Sequence, residues 1–188
     1  MIAHSPFAHL FRMEKSTINQ FLTTQHAAFL HIIRSLSEED YLLAKNGKWT
    51  AGQQLDHIRR SVQPVALAFG LPAWTLRLLF GKANRTSRSY DALVEKYHQK
   101  LAAGYIASRR YVPPPTVGLK EREKLAATLE KQVQQLNRRL VKYSENQLDT
   151  LLLPHPLLGK LTMREMLYFT AYHVEHHRRA LEGNLVMA

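Results

Sequence analysis

A chain of 188 residues, of which 45% are apolar, is long enough to bury one sizeable core, so we expect a single domain over residues 1–188. It contains no cysteine, which excludes disulfides and thiolate sites and leaves imidazoles and carboxylates as the ligands for any transition metal. The formal charge of +11 favours an anionic partner without choosing among nucleic acid, an anionic membrane surface and an acidic small molecule.

The first two main helices are predicted from apolar periodicity and a capping signal. Apolar residues recur at three- and four-residue spacing over residues 15–36, as on one face of an amphipathic helix. A second helix begins at Thr50, because Thr50 and Gln53 have the spacing of a capping box and Trp49 holds the preceding staple position. Pro64 falls inside this helix and predicts a kink or a break there.

Residues 70–118 are the least regular part of the chain. Within them a short apolar piece covers residues 74–80, and an extra helix is predicted over residues 90–103. Three consecutive prolines make residues 111–115 extended, because each proline fixes its own φ and restricts the residue before it. We therefore expect a long connection between the second and third main helices.

The remaining main helices complete an all-α pattern. The third covers residues 121–143, and the fourth begins at Thr162 and ends near Gly183, since glycine commonly follows the end of a helix. No convincing alternation of apolar and polar residues predicts strands. The expected fold is an all-α four-helix bundle with a long crossover connection and an inserted helical segment between the second and third main helices.

The fourth helix carries two histidines, His173 and His177, one turn apart on the face that should meet the core. Residues four apart on a helix are neighbours, so this pair can bind one metal ion. The alternative is a structural pair whose ring nitrogens are satisfied by a local polar network. Spacing alone does not decide between the two interpretations.

A third histidine, His57, borders the apolar stripe of the second helix. On its own it is typical of the boundary between core and surface. Together with His173 and His177 it gives three imidazoles from facing helices, which form an open metal site when water takes the remaining positions. Imidazole ligands suit zinc, nickel, copper and iron.

Four neighbouring residues are assigned no ligand role. Glu175 is a poor general base, because the metalloprotease pattern places its glutamate directly after the first histidine, one residue earlier than here. His155 lies in a turn rich in proline and glycine and is interpreted as a loop residue. Tyr172 and His176 are expected to point off the ligand face.

Two segments resemble the DinB-like superfamily of YfiT-type metal-dependent hydrolases, which are built as four-helix bundles. One is Trp49-Thr-Ala-Gly-Gln-Gln-Leu-Asp-His57-Ile, and the other runs from His155-Pro-Leu-Leu-Gly159-Lys-Leu-Thr162 into Tyr172-His173-Val-Glu-His-His177-Arg-Arg-Ala-Leu. The resemblance implies that His57, His173 and His177 bind a divalent metal ion, with nickel or zinc as the usual metals. Residues 70–118 are longer than the same connection in compact members, and could cover the site or extend a dimer contact.

The same resemblance implies hydrolysis of a small-molecule substrate by a metal-dependent enzyme. Transfer of a low-molecular-weight thiol, as a thiol S-transferase, is the alternative chemistry that it implies. The basic surface suits an acidic or thiol-containing substrate in either case.

Two functions without catalysis are also considered. A nucleic-acid-associated stress-response protein would account for the charge, but the sequence has no helix-turn-helix pattern and no aromatic-basic platform. A non-catalytic metal-binding or dimerisation module would use Trp74, Leu78, Leu79 and Phe80 as a homodimer interface, and packing of these residues into the core is the alternative.

The sequence also bears on location. No apolar run approaches the roughly 20 residues of a membrane-spanning helix. The N-terminus lacks a basic head followed by an apolar stretch, which is the pattern of a signal peptide. We therefore expect a cytoplasmic protein with no membrane partner.

Overall fold

Four long helices form a bundle in this computed structural model, which describes residues 12–44 and 47–186. Within those residues the helices are α1 (Lys15–Ser35), α2 (Glu38–Leu42), α3 (Ala51–Ala68), α4 (Ala73–Phe80), α5 (Tyr90–Ala102), α6 (Arg122–Leu140), α7 (Glu145–Thr150) and α8 (Met163–Val186). The same residues contain a hairpin of β1 (Leu152–His155) and β2 (Gly159–Thr162), and two 3₁₀ turns, Arg109–Tyr111 and Leu119–Glu121. The main helices are α1, α3, α6 and α8, and α4 and α5 lie between α3 and α6, so the predicted bundle with its inserted helical segment is confirmed.

The main helices pack through apolar faces. Both α1 and α3 contact α6 and α8. Each main helix contributes at least one fully buried leucine, namely Leu22, Leu55, Leu136 and Leu167. Burying one such side chain is worth about 1.5–3 kcal/mol relative to exposing it, so tertiary packing more than local propensity holds the helices in place. As a result α3 and α8, which carry the three histidines, contact each other.

Pro64 does not divide the second main helix, because α3 is continuous over Ala51–Ala68. A proline inside a helix removes one backbone hydrogen bond and costs about 3 kcal/mol. Val62 and Val65 on either side of it are buried, and Phe69 at the C-cap is buried as well. Burial of this apolar stripe offsets the cost of the proline, so the predicted break is wrong.

The fourth main helix continues past Gly183 to Val186, so its predicted end is wrong. A glycine ends a helix most readily when it adopts the left-handed conformation. Gly183 is not among the glycines with positive φ in the described part of the chain. It stays in the helix at a cost of roughly 1 kcal/mol relative to alanine.

The hairpin lies where the sequence predicts no strand. Its strands are short, and Pro154 inside β1 is a residue that argues against a strand. Pairing nevertheless runs from Leu152 opposite Thr162 to His155 opposite Gly159. Gly159 has a φ of 76°, which side chains other than glycine rarely adopt. Because β2 leads directly into α8, the hairpin sets the start of the helix that carries two of the histidines.

Three of the apolar side chains on the inserted helix α4 are exposed. Trp74, Leu78 and Leu79 are 68%, 77% and 59% exposed, whereas Leu76 is buried. Packing into the core is therefore wrong for these three residues, but Phe80 is partly buried and packs against the core as that alternative predicts. A homodimer interface at α4 stays a prediction. Across the described residues no single helix is long and apolar enough to cross a membrane, although α3 and α4 meet that test as a pair bent by 110°.

Candidate metal centre

Three histidines meet between α3 and α8. His57 comes from the second turn of α3, and His173 and His177 come from successive turns of α8. The centroids of their rings are 4.9 Å apart in every pair. One ring nitrogen of each lies within 4.8 Å of those of the other two, so these three side chains could hold a single metal ion.

The carbonyl of Tyr111 fixes the tautomer of His57. His57 Nδ1 lies 2.8 Å from the Tyr111 carbonyl oxygen. A carbonyl can only accept a hydrogen bond, so Nδ1 carries the proton and Nε2 of the neutral ring keeps its lone pair. That Nε2 atom lies 3.1 Å from Nε2 of His173.

Gln54 fixes the tautomer of His177 in the same way. Its Nε2 donates to the carbonyl of Trp49 at 3.2 Å, which leaves its Oε1 3.0 Å from His177 Nδ1. Because an amide oxygen accepts, His177 Nδ1 donates and His177 Nε2 keeps a lone pair. Partners of this kind set the tautomer and orientation of histidines that bind metals.

Aromatic packing holds the third ring. His173 stacks on Phe169 with their centroids 5.0 Å apart and 23° between the ring planes. The edge of Tyr97 approaches the same imidazole, with centroids 6.3 Å apart. His173 is buried, so its ring has little room to turn.

All three imidazoles favour the neutral form at pH 7. Burial lowers the pKa of His57 below its usual 6.5, and lowers the pKa of His173 and of His177 well below that value. Neighbouring histidines lower the pKa of His173 and His177 further, because two positive rings side by side would repel. The neutral ring is the form that binds metals, so no proton has to leave the site first.

The spacing of the nitrogens fits a metal of the size of zinc. Two nitrogens that bind one zinc ion at 2.0–2.1 Å with tetrahedral geometry are roughly 3.3 Å apart. The 3.1 Å between Nε2 of His57 and Nε2 of His173 is close to this separation. The ligand nitrogens of all three histidines lie within 4.8 Å of one another.

A cavity of about 610 Å³ opens beside the three histidines. Its walls come from α3, α5, the hairpin and α8, and residues 105–108 and 110–111 close one side. Covering the site fits the part of residues 70–118 that lines the cavity, and extending a dimer contact stays a prediction. The covering segment also reaches the site directly, through the Tyr111 carbonyl that binds His57.

His155 lines this cavity as the last residue of β1, so its interpretation as a loop residue is wrong. Its Nδ1 accepts hydrogen bonds from the backbone N–H groups of Leu157 and Leu158, at 3.2 and 3.0 Å. Burial lowers the pKa of His155 to about 4. The ring is therefore neutral at pH 7 and carries its proton on Nε2.

His176 also lines the cavity, although its position on α8 predicts a side chain off the ligand face. The other two neighbours are engaged elsewhere. The hydroxyl of Tyr172 lies 2.5 Å from Nε2 of His98, and Glu175 accepts a hydrogen bond from Arg179. Glu175 is thus tied to an arginine on the outer side of α8, in agreement with its exclusion as a general base.

Sequence patterns miss the two groups that orient the ring cluster. Tyr111 acts through its backbone carbonyl, which every residue has, so no residue type predicts this contact. Gln54 is one of two adjacent glutamines, and the residue type alone does not show which of them contacts His177. The capping box is the one usable sequence signal, because it assigns Gln53 to the start of α3. In the structure Gln53 Nε2 also donates to the carbonyls of Pro114 and Pro115, at 3.1 and 3.0 Å. The start of α3 therefore anchors the proline segment that follows the Tyr111 carbonyl.

Comparison with known protein families gives a match over most of the chain. The family model described as the DinB superfamily matches residues 21–181, a range that includes all three histidines. No curated protein and no solved structure matches the chain significantly.

Proposed function

Because the chain belongs to the DinB superfamily and brings three neutral imidazoles together beside a cavity, we propose that it is a metal-dependent hydrolase of a small molecule. His57, His173 and His177 would bind one divalent metal ion, with zinc and nickel as the best candidates. The observation that carries the proposal is the pair of fixed tautomers, which leaves an unprotonated nitrogen on His57 and another on His177.

A purely structural network fits these tautomers poorly. His57 and His177 each use their single N–H on a partner outside the ring cluster. Within the cluster, neutral His173 has one N–H to donate, so it can satisfy one of the two lone pairs. A metal ion would instead accept a lone pair from all three rings.

A divalent metal ion, when bound, lowers the pKa of a water molecule or polarises a substrate oxygen. The chain would supply the surroundings of that chemistry. Trp49, with its ring centroid 4.8 Å from that of His57, and Phe169 beside His173 limit the access of bulk water to the ring cluster. His155 offers its Nε2 proton as a hydrogen-bond donor on the cavity wall.

Metal analysis tests the ligand set. Purified protein is expected to carry about one zinc or nickel ion per chain by plasma mass spectrometry, and His57→Ala, His173→Ala and His177→Ala are each expected to lose it. His176→Ala is the matched control, since it removes a neighbouring imidazole of α8 and should keep the metal. Wild-type protein that takes up no metal on titration, or His173→Ala that retains it fully, would refute the site.

Hydrolysis is tested separately from metal binding. Metal-loaded and chelator-treated protein are compared on a panel of esters and amides, and we expect activity that disappears with the chelator and returns on adding the metal. A metal-loaded protein that cleaves none of the panel would refute the hydrolase while leaving the metal site in place.

A further inference from the structure

The lining of the cavity beside the histidines extends along two helices. On α3 its lining runs from His57 to Ala68, and on α8 from Met166 to His177. The first and last residues of each stretch are eleven positions apart, which corresponds to roughly 16 Å of helix at 1.5 Å per residue. Because His57 lies beside His173 and His177, the helices run in opposite directions along the cavity and the histidines occupy one end.

Most of the cavity lining away from the histidines is apolar, so a ligand there needs few hydrogen-bonding groups. Apolar side chains from α3, α5, the hairpin and α8 line it, among them Val62, Val65, Leu101, Leu153 and Met166. The two lining hydroxyl side chains on α3 and α8, those of Ser61 and Thr170, donate to backbone carbonyls one turn earlier, each at 2.8 Å. They are already satisfied, so a ligand beside them needs no hydrogen-bonding groups of its own.

Charge is also scarce in the cavity. Arg110 is the one lining residue with a formal charge in the described part of the chain. The chain's net charge of +11 is therefore carried mainly by side chains outside the cavity. Moving an anionic group from water to apolar walls is costly unless a partner compensates it, so the cavity disfavours the acidic substrate expected from the overall charge.

We propose that the substrate is a linear amphiphile, with one oxygen-containing head group at the three histidines and an extended apolar chain along the cavity towards Ala68. The inference rests on the proposed function, because the head group is bound by the metal. It goes further in stating the shape and polarity of the rest of the substrate.

Alkyl hydroxamates of increasing length, from acetohydroxamate to decanohydroxamate, are suitable probes because all share one metal-binding head group. Their affinities for the metal-loaded protein are measured by titration calorimetry. Each added methylene should strengthen binding by about 3- to 4-fold until the chain reaches the far end of the cavity, after which the affinity levels off.

A blocking variant tests where the chain lies. Ala68→Trp, at the end away from the histidines, is expected to move the plateau to shorter chains and to leave acetohydroxamate binding unchanged. Leu67→Trp is the matched control, since the neighbouring Leu67 is 60% exposed and lies outside the cavity lining, and it should follow the wild-type series.

The outcomes separate the two proposals. Protein that binds neither metal nor acetohydroxamate would refute the proposed function itself. Protein that binds the metal and acetohydroxamate, but shows affinities independent of chain length, would overturn the linear amphiphile and leave the metal site standing. A folded Ala68→Trp variant that keeps the wild-type plateau would also overturn the linear amphiphile and leave the metal site standing. If that variant does not fold, the dependence of wild-type affinity on chain length decides the question alone.

Discussion

The start and the middle of α8 place polar side chains in opposite surroundings. Near its N-terminus, Arg164 and Glu165 are both fully buried, and each is paired with side chains of opposite charge. Midway along the helix, His173 and His177 lie beside another histidine, and these like groups lower one another's pKa. The charged groups of the first part are paired within the protein, whereas in the second part His57 and His177 each keep a ring lone pair. Paired opposite charges are typical of a structural network, and clustered groups with perturbed pKa values are typical of a functional site.

The ion-pair end leaves no oxygen of Glu165 without a donor. Arg85 donates to its two carboxylate oxygens at 2.6 and 2.7 Å, and the backbone N–H groups of Arg88 and Thr162 donate at 2.7 and 2.9 Å. Burial alone would raise the pKa of Glu165, but these bonds hold it below its usual value. These bonds attach the inserted segment, through Arg85 and Arg88, to the start of α8. The same segment continues to residues 105–108 and 110–111, which line the cavity beside the histidines.

Removing Arg85 should cause the largest loss of stability. Arg85→Met leaves Glu165 buried with Arg88 as its remaining cationic partner, and breaking a buried pair in this way costs about 3–5 kcal/mol in the free energy of unfolding. Urea denaturation measures the loss. Metal content per folded chain should not change, because the ion pairs and the histidines are separate networks.

Arg34→Met is the matched control for this prediction. Arg34 is exposed to a similar extent as Arg85, but its partners Glu123 and Glu130 are 63% and 42% exposed in their side chains. Exposed pairs contribute about 0–1 kcal/mol, so the control should lose little stability. Equal losses in the two variants would contradict the view that the N-terminal end of α8 is held by a buried network.

As the pH falls, protonation of the buried neutral histidines should lower the free energy of unfolding before the carboxylates of the ion pairs are protonated. Burial lowers the pKa of His26 from 6.5 to about 4, so between these values the unfolded chain binds more protons than the folded one. Stability contributed by the neutral ring is therefore present above pH 6.5 and is lost as the pH falls towards 4. The full loss for this one residue is about 3 kcal/mol.

His26→Leu isolates that contribution, since it removes the titrating ring and lies on α1, away from the three histidines between α3 and α8. Its free energy of unfolding should depend less steeply on pH between 6.5 and 4, by up to about 1.4 kcal/mol per pH unit. Denaturation curves at several pH values, recorded with a chelator present, provide the comparison. Parallel pH profiles for the variant and the wild type would show that His26 is not held neutral by burial.

The meeting of His57, His173 and His177 could be predicted because helices repeat every 3.6 residues and a bundle brings the apolar faces together. The spacing of His173 and His177 places both on one face, and the capping box at Thr50 places the start of α3 correctly. Metal binding by this cluster stays a prediction. Packing against α6 and α8 overrides the local breaking tendency of Pro64, which is why that signal misleads.

The rest depends on contacts between residues far apart in the sequence. Glu165 lies three residues after Thr162, which is the spacing of a capping box, and both capping bonds are present. Its role as the partner of Arg85 depends on a contact across 80 residues. The cavity wall is equally non-local, since it combines α3 and α8 with a covering segment that has no regular pattern. Periodicity and capping signals describe single elements, so they cannot anticipate either arrangement.

The smallest effect is expected at the residue that orients His177. Gln54→Leu removes the acceptor of His177 Nδ1, so the ring is free to rotate or change tautomer. Loss of such a partner typically weakens metal affinity by about 10- to 100-fold, or roughly 1.4–2.7 kcal/mol. Competition with a chromophoric chelator measures the change.

Two further variants decide whether Gln54 acts through its hydrogen bond. Gln132→Leu removes another buried glutamine, on α6, and should leave metal affinity unchanged. Gln54→Glu keeps an acceptor for His177 Nδ1 and adds negative charge, so it should bind the metal at least as tightly as the wild type. If Gln54→Leu and Gln132→Leu weakened binding equally, the loss would reflect general destabilisation, and the histidines of α8 would be no more finely oriented than the rest of the core.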